Sequence, residues 1–182
     1  MELQNVLQQR RSIRKFKNEK VDRELMKEIV DIAKWAPSWV NYQIARYTLV
    51  DDEEIIKEIA EHGVNGFVYN IDTLRTAKGV AVLSFVKGKS GTYDKEYITS
   101  KGNSWEVFDA GIACQTFCLA AHAKGVRTCI MGVIDDKSIA KIVNLPEDET
   151  VAALIVYGYE DGEHAAPNKR KDVDEIMRFV DR

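Results

Sequence analysis

Two short stretches of this chain concentrate residues able to do chemistry. The first, Arg10-Arg11-Ser12-Ile13-Arg14, places three guanidiniums and a hydroxyl within five positions. Guanidiniums fork onto phosphate oxygens through paired hydrogen bonds, and three of them can neutralise the roughly −1.5 to −2 charge of a phosphate monoester. Taken alone, such a run is more often the solvated end of a helix, so its meaning depends on its company. The second stretch is Ala36-Pro37-Ser38-Trp39-Val40-Asn41-Tyr42-Gln43, where a helix-stopping proline is followed by a hydroxyl and two side-chain amides. An amide donates and accepts at once, which suits a heterocycle that presents both kinds of group.

Other constellations lead nowhere comparable. Cys114, Cys118 and His122 recur every four residues, which puts them on one helix face. A metal site there lacks a fourth ligand at suitable spacing, and buried free cysteines behave as small apolar residues. A nucleophilic Cys–His pair is disfavoured by the same burial, because a reactive thiolate needs exposed, positive surroundings. Gly125, Gly132 and Gly158 do not form a Gly-x-Gly-x-x-Gly fingerprint, so no dinucleotide held in a βαβ cradle is expected. No histidine or carboxylate emerges as a required general acid or base.

Bulk composition narrows the partners. A formal charge of −3, from 26 basic and 29 acidic side chains, gives no overall attraction to nucleic acid or an anionic membrane. No apolar run approaches the ~18 residues needed to span a bilayer. Three cysteines cannot all pair within the chain, which fits free thiols in a reducing compartment, and we expect a cytoplasmic protein.

Four stretches, in order, resemble the nitroreductase family of FMN enzymes. They are Arg-Arg-Ser-x-Arg-x-Phe over Arg10 to Phe16, and Ala-Pro-Ser-x-x-Asn-x-Gln over Ala36 to Gln43. Next comes Asp109 to Gln115, leading through Gly125 to Ile130-Met131-Gly132, and last Lys169-Arg170-Lys171. The resemblance implies a bound FMN with NAD(P)H as transient electron donor. By matching position, Arg10, Arg11 and Ser12 would hold the phosphate and ribityl chain, and Arg14 would lie near the phosphate or the flavin N1/C2 carbonyl. Met131 and Gly132 would bring a backbone N–H to the flavin N5, and Arg170 would be a second phosphate ligand, with Lys169 or Lys171 nearby. Pro37, Ser38, Asn41 and Gln43 would reach the flavin of the other subunit, which makes a homodimer the expected unit. The implied reaction is hydride transfer from NAD(P)H through flavin to electron-poor acceptors such as nitroaromatics or quinones. The alternatives are a dedicated dehalogenase, dehydrogenase or single-metabolite reductase on the same fold, or an FMN-binding protein without turnover. One departure stands out: many relatives follow the glutamine of the turn with Pro-Trp, whereas this chain has Ile44-Ala45, with Trp39 as a candidate substitute ring.

The elements that must position these residues alternate. Helices are expected over Glu2 to Gln9, from the Asp22 cap along Leu25, Ile29, Ile32 and Ala33 to the Pro37 stop, and over Glu53 to His62 closed by a left-handed Gly63. The longest runs from Asn103 or Ser104 to Gly125, followed by Lys137 to Val143 and a last helix near Val173 to Val180. Strands are expected at Arg46–Val50, Gly79–Val86, Thr128–Met131 and Val151–Tyr157. Val64 to Ala77 shows no clear period. Lys87 to Asn103 reads as a long irregular loop whose Tyr93 and Tyr97, with nearby Trp105, could wall a pocket. The order implies an α+β or a three-layer αβα domain, with a sheet of about four or five strands. With the resemblance, the expectation is a single nitroreductase-like domain over residues 1–182, with a mixed, mainly antiparallel central sheet flanked by helices.

Overall fold

Strand β2 (Gly79–Val86) is buried at every position in the computed structural model, as a near-continuous run of Val, Ala, Leu and Phe requires when a strand is covered on both faces. The structure describes residues 2–164 and 166–180, so both ends of the expected 1–182 domain, and position 165 of its polar tail, lie outside the described residues. β2 lies between β1 (Ala45–Val50) and β6 (Glu149–Gly158), and β5 (Arg127–Met131) completes a four-stranded sheet in the order β1-β2-β6-β5. All three strand pairings are antiparallel. A parallel bridge between Ser12 and Thr128 adds the mixed character at the β5 edge.

Successive residues of a strand face opposite ways, and here that alternation sorts the core into two layers. Val80, Val82, Leu154 and Val156 pack with α3 (Glu53–His62), α4 (Val68–Thr76) and α6 (Asp136–Ile142). Ala81, Leu83, Ile155 and Tyr157 pack with α2 (Arg23–Ala33) and the long α5 (Ser104–Ala123). The chain is therefore α+β, with three αβα layers. α1 (Leu3–Gln9) lies against α5 at the N-terminal end.

The helix starts follow their caps. The Asp22 side chain accepts from the amides of Glu24 and Leu25, Asp52 from those of Glu54 and Ile55, and Asp135 from that of Ser138. Past α5, Gly125 takes φ +85°, the left-handed backbone that a helix end favours.

Five expectations need correction. α2 stops at Ala33, before Ala36, and buries Met26 in place of the exposed Ile32. Gly63 is not left-handed, at φ −97°. Its requirement is space, since a Cβ there would stand 2.8 Å from Ile139 Cγ1 and from the Ile59 carbonyl oxygen. The stretch without a clear period contains α4, whose Phe67, Val68 and Tyr69 face outward and so blur the apolar pattern. The 87–103 loop contains a small hairpin, β3 (Thr92–Tyr93) with β4 (Glu96–Tyr97). The last helix, α7, covers only Val173–Ile176, and all its residues are exposed.

Close packing between β2 and β6 yields a stability test. A Cβ on Gly79 would lie 2.1 Å from the Tyr157 ring, which is itself buried in the α2/α5 core. Gly79→Ala is expected to lower the unfolding free energy by about 1–3 kcal/mol, the usual cost of overpacking, measured by urea denaturation.

Candidate functional site

The basic run is set along the sheet edge by its neighbours. After α1 the chain becomes extended: Ile13 N–H donates to the Thr128 carbonyl at 3.0 Å, Lys17 N–H to Tyr159 at 2.8 Å, and Asp161 N–H to Lys15 at 3.1 Å. Ile13 and Phe16 are buried, with Phe16 lying on Gly158, where a Cβ would come within 2.9 Å of its ring. These two apolar pegs leave Ser12, Arg14 and Lys15 facing solvent.

Arg10, Arg11, Ser12, Arg14 and Arg170 line one cleft of about 410 Å³, together with Lys15, Glu160, Asp161 and Glu163. Its five cations outnumber its three acids by two. The acids are partly engaged: Glu160 lies 3.5 Å from Arg127 Nε and 2.7 Å from His164 Nδ1, and Asp161 lies 3.1 Å from Lys15 Nζ. Arg10, Arg11, Arg14 and Arg170 form no salt bridge among the described residues. Arg11 Nε is buried with no hydrogen-bond partner, while its Nη1 donates to the carbonyls of Gln8 and Arg10. An orphaned guanidinium N–H beside a cation-rich cleft fits an anionic group such as a phosphate. Arg170 lines the cleft, whereas Lys169 and Lys171 do not.

Arg14 also borders a second cleft of about 430 Å³, formed with Met131, Gly132, Ile130, Val133, Phe67, Tyr69 and Asn70. Met131 closes β5 and is buried at the wall of this space. Gly132 follows, exposed, and a Cβ added there would meet nothing of this chain within 4 Å. Asn70 Nδ2 donates to the Val133 carbonyl at 3.0 Å, tying α4 to the segment after β5. Phe67 and Tyr69 are not placed by the sequence, because no helical period marks α4. Their aromatic character before Asn70 was the available signal.

The turn at Pro37 does not border these two clefts within one chain. Pro37, Ser38 and Gln43 line a third cleft of about 300 Å³ with Tyr47 and Asp109, and Asn41 stands exposed. Val40, Asn41 and Gln43 take φ of 47°, 55° and 49°, a left-handed backbone that β-branched residues in particular avoid. The turn is held by Ser38 Oγ, which accepts from Gln43 N–H at 2.8 Å, and by Asp109, which accepts from Trp39 N–H at 2.9 Å. Ile44, at the departure from the usual Pro-Trp, is buried beside Phe85 and Ala110. Trp39 turns toward the 87–103 loop and packs edge-on against Trp105 at 5.2 Å. Tyr93 is exposed, and Tyr97 donates to Glu106 at 3.1 Å.

Behind the first cleft, Arg127 Nη1 lies 3.0 Å from His122 Nδ1, and His122 Nε2 is buried without a partner. Burial, then the positive charges of Arg127, Arg10 and Arg11, hold the imidazole below its ordinary value. Cys114 and Cys118 share its helix and are buried free thiols, and no metal-ligating cluster occurs among the described residues. No helix among them is long and apolar enough to cross a membrane.

This arrangement can be set beside known proteins. The nitroreductase family profile matches residues 7–159. The chain belongs to the nitroreductase family. It is therefore an oxidoreductase of an α+β fold shared with many solved structures. The FMN-dependent nitroreductase of Clostridium difficile superimposes with a TM-score of 0.74 at 27% identity, covering 96% of this chain and 97% of that one. The oxygen-insensitive NADPH nitroreductase of Helicobacter acinonychis is 23% identical over 182 residues, or 84% of this chain and 85% of its own. The iodotyrosine deiodinase of Thermotoga neapolitana is 24% identical over 166 residues, 87% of this chain and 89% of its own.

The position of His122 carries a pH prediction. Its folded value lies below the ordinary 6.5, so between the two the unfolded chain binds more protons and stability falls as pH drops through about 6.5. Unfolding free energies measured at pH 7.5 and 5.5 should show that loss, and His122→Gln should reduce it.

Proposed function

We propose that the chain binds FMN and passes hydride from NAD(P)H to electron-poor acceptors such as nitroaromatics or quinones. The observation that carries this reading is the convergence of four guanidiniums without salt bridges on a cleft that shares Arg14 with the Met131-Gly132 segment. Arg10, Arg11, Ser12 and Arg170 hold the phosphate end. Arg14 places a positive charge between that end and the ring, where negative charge develops on reduction. The backbone at Met131-Gly132 offers its N–H to the ring edge, and the open space over Gly132 allows close approach. FMN held by these residues would supply the two-electron hydride chemistry. The chain's own part is to bind, orient and keep one face open, so donor and acceptor use one pocket in turn.

In this reading the protein is a homodimer, and the Pro37, Ser38, Asn41 and Gln43 turn serves the flavin of the partner subunit. Support comes from the separation of that turn from the guanidinium cleft within one chain. Exposed apolar residues add to it, namely Val107 and Phe108 on α5 and Leu3 and Leu7 on α1, which suit a covered face. The reading also covers a single domain and a cytoplasmic setting. The likeness to an iodotyrosine deiodinase favours, as second reading, a dedicated dehalogenating enzyme built on the same flavin site.

Purified protein tests both. A flavin absorption band that bleaches anaerobically with NADH or NADPH, then recovers with a nitroaromatic or quinone, supports the first reading. Recovery only with a halogenated phenol supports the second, and protein that takes up no FMN removes both. Arg10→Ala/Arg11→Ala is expected to weaken FMN binding by at least tenfold, measured by fluorescence titration, because charge-assisted contacts contribute about 1.5–3 kcal/mol each. Mixed with Asn41→Ala chains, it should form heterodimers with one intact site and one doubly damaged site. Activity that never exceeds both parents would count against shared sites.

A further inference from the structure

The 87–103 loop is fastened to the start of α5 by two acids one helical turn apart, Glu106 and Asp109, only 5% and 2% exposed. Glu106 Oε1 accepts from the N–H groups of Gly88 at 2.5 Å and Lys89 at 3.3 Å, and from the Tyr97 hydroxyl at 3.1 Å. Asp109 does something different. A single oxygen, Oδ2, accepts from Ser90 Oγ at 2.5 Å on the loop and from Trp39 N–H at 2.9 Å on the turn. The Trp39 indole N–H closes the circuit by donating to the Thr92 carbonyl at 3.0 Å, and its ring leans on Trp105.

The turn needs such an anchor. Its left-handed Val40, Asn41 and Gln43 persist only where the surroundings over-determine them. Within the turn the restraints are local: Asn41 N–H donates to the Ser38 carbonyl at 3.0 Å, Tyr42 N–H to the Trp39 carbonyl at 2.9 Å, Gln43 N–H to Ser38 Oγ at 2.8 Å, and Arg46 Nη1 to the Gln43 carbonyl at 2.7 Å. From outside, Asp109 holds the backbone of the turn at Trp39 N–H, while the loop's Thr92 holds only the Trp39 side chain.

We propose that Asp109 is a positioning residue that locks the 37–43 turn and the 87–103 loop into one body, so that the amides of Asn41 and Gln43 are set by a loop they do not touch. The loop is then a fixed wall of the site and not a lid that swings freely. The proposal rests on the flavin reading for its effect on the cofactor, but the coupling belongs to the protein alone.

The test compares Ser90→Ala, Asp109→Asn and the double variant, all in the full chain with folding checked by far-ultraviolet circular dichroism. Ser90 meets the turn only through the shared Asp109 oxygen, so a merely local role in the loop would leave flavin binding unchanged. The expected result is FMN binding about tenfold weaker and acceptor KM raised in Ser90→Ala, with kcat within twofold of the parent, and faster tryptic cleavage at Lys89 and Lys95. Asp109→Asn should be more severe, and the double variant no worse than Asp109→Asn, because both changes break one shared node. Should Asp109→Asn not fold, Ser90→Ala alone decides. Faster loop cleavage in Ser90→Ala with FMN affinity and KM unchanged would overturn the coupling. If the parent binds no FMN, the flavin reading fails by itself. The near-ultraviolet tryptophan signal of Ser90→Ala then decides: a change supports the coupling, and an unchanged spectrum overturns it.

Discussion

Guanidinium groups repel one another, and a cleft that gathers four of them exists only because the chain carrying three is bound to something rigid. Here that support is the free edge of β5 and the strand end of β6. Ile13 and Phe16 are pressed into the core between the cations, while the backbone from Ile13 to Lys17 pairs with Thr128, Tyr159 and Asp161. The burial of two apolar side chains, about 1.5–3 kcal/mol each, offsets the crowding of charge beside them. Gly158 makes this possible by leaving room for the Phe16 ring. Charge concentration and strand-edge packing are thus one device.

α5 links this device to the rest of the molecule. Its middle, with Phe117, Cys118 and Ala121, is core for the α2 side of the sheet. Its first turns carry Glu106 and Asp109 to the loop and the turn, and its last turn carries His122 to Arg127 and thereby to Glu160 at the rim of the guanidinium cleft. One helix of twenty residues therefore sets groups at both ends of the chain's functional surface. A helix with so many roles shows no single polar face, because its two acids and His122 are buried while Val107 and Phe108 are exposed.

The same feature explains what was legible in the sequence. β2 was readable to the residue, since a strand buried on both faces is a continuous apolar run, and the Asp22 cap and the Gly125 stop follow directly from backbone chemistry. The Arg10 and Pro37 stretches stood out through their residue types. What stayed hidden depended on tertiary partners. α4 turns Phe67 and Tyr69 outward, so periodicity missed it, and Gly63 is required by Ile139, distant in sequence. The roles of Asp109 and His122 come from Ser90, Trp39 and Arg127, which no local pattern connects to them. The expected terminal helix shrank to Val173–Ile176, because an amphipathic pattern makes helix only where its apolar side is covered.

The three free thiols have a use unrelated to catalysis. Cys129 belongs to the core layer formed with α3, α4 and α6, whereas Cys114 and Cys118 belong to the layer formed with α2 and α5. All three are buried, Cys129 at the wall of the second cleft, so alkylation of each is limited by local opening on its own side of the sheet. The native sequence thus carries a separate chemical clock in each half of the sandwich. Comparing their labelling rates tells whether the two layers breathe together or apart.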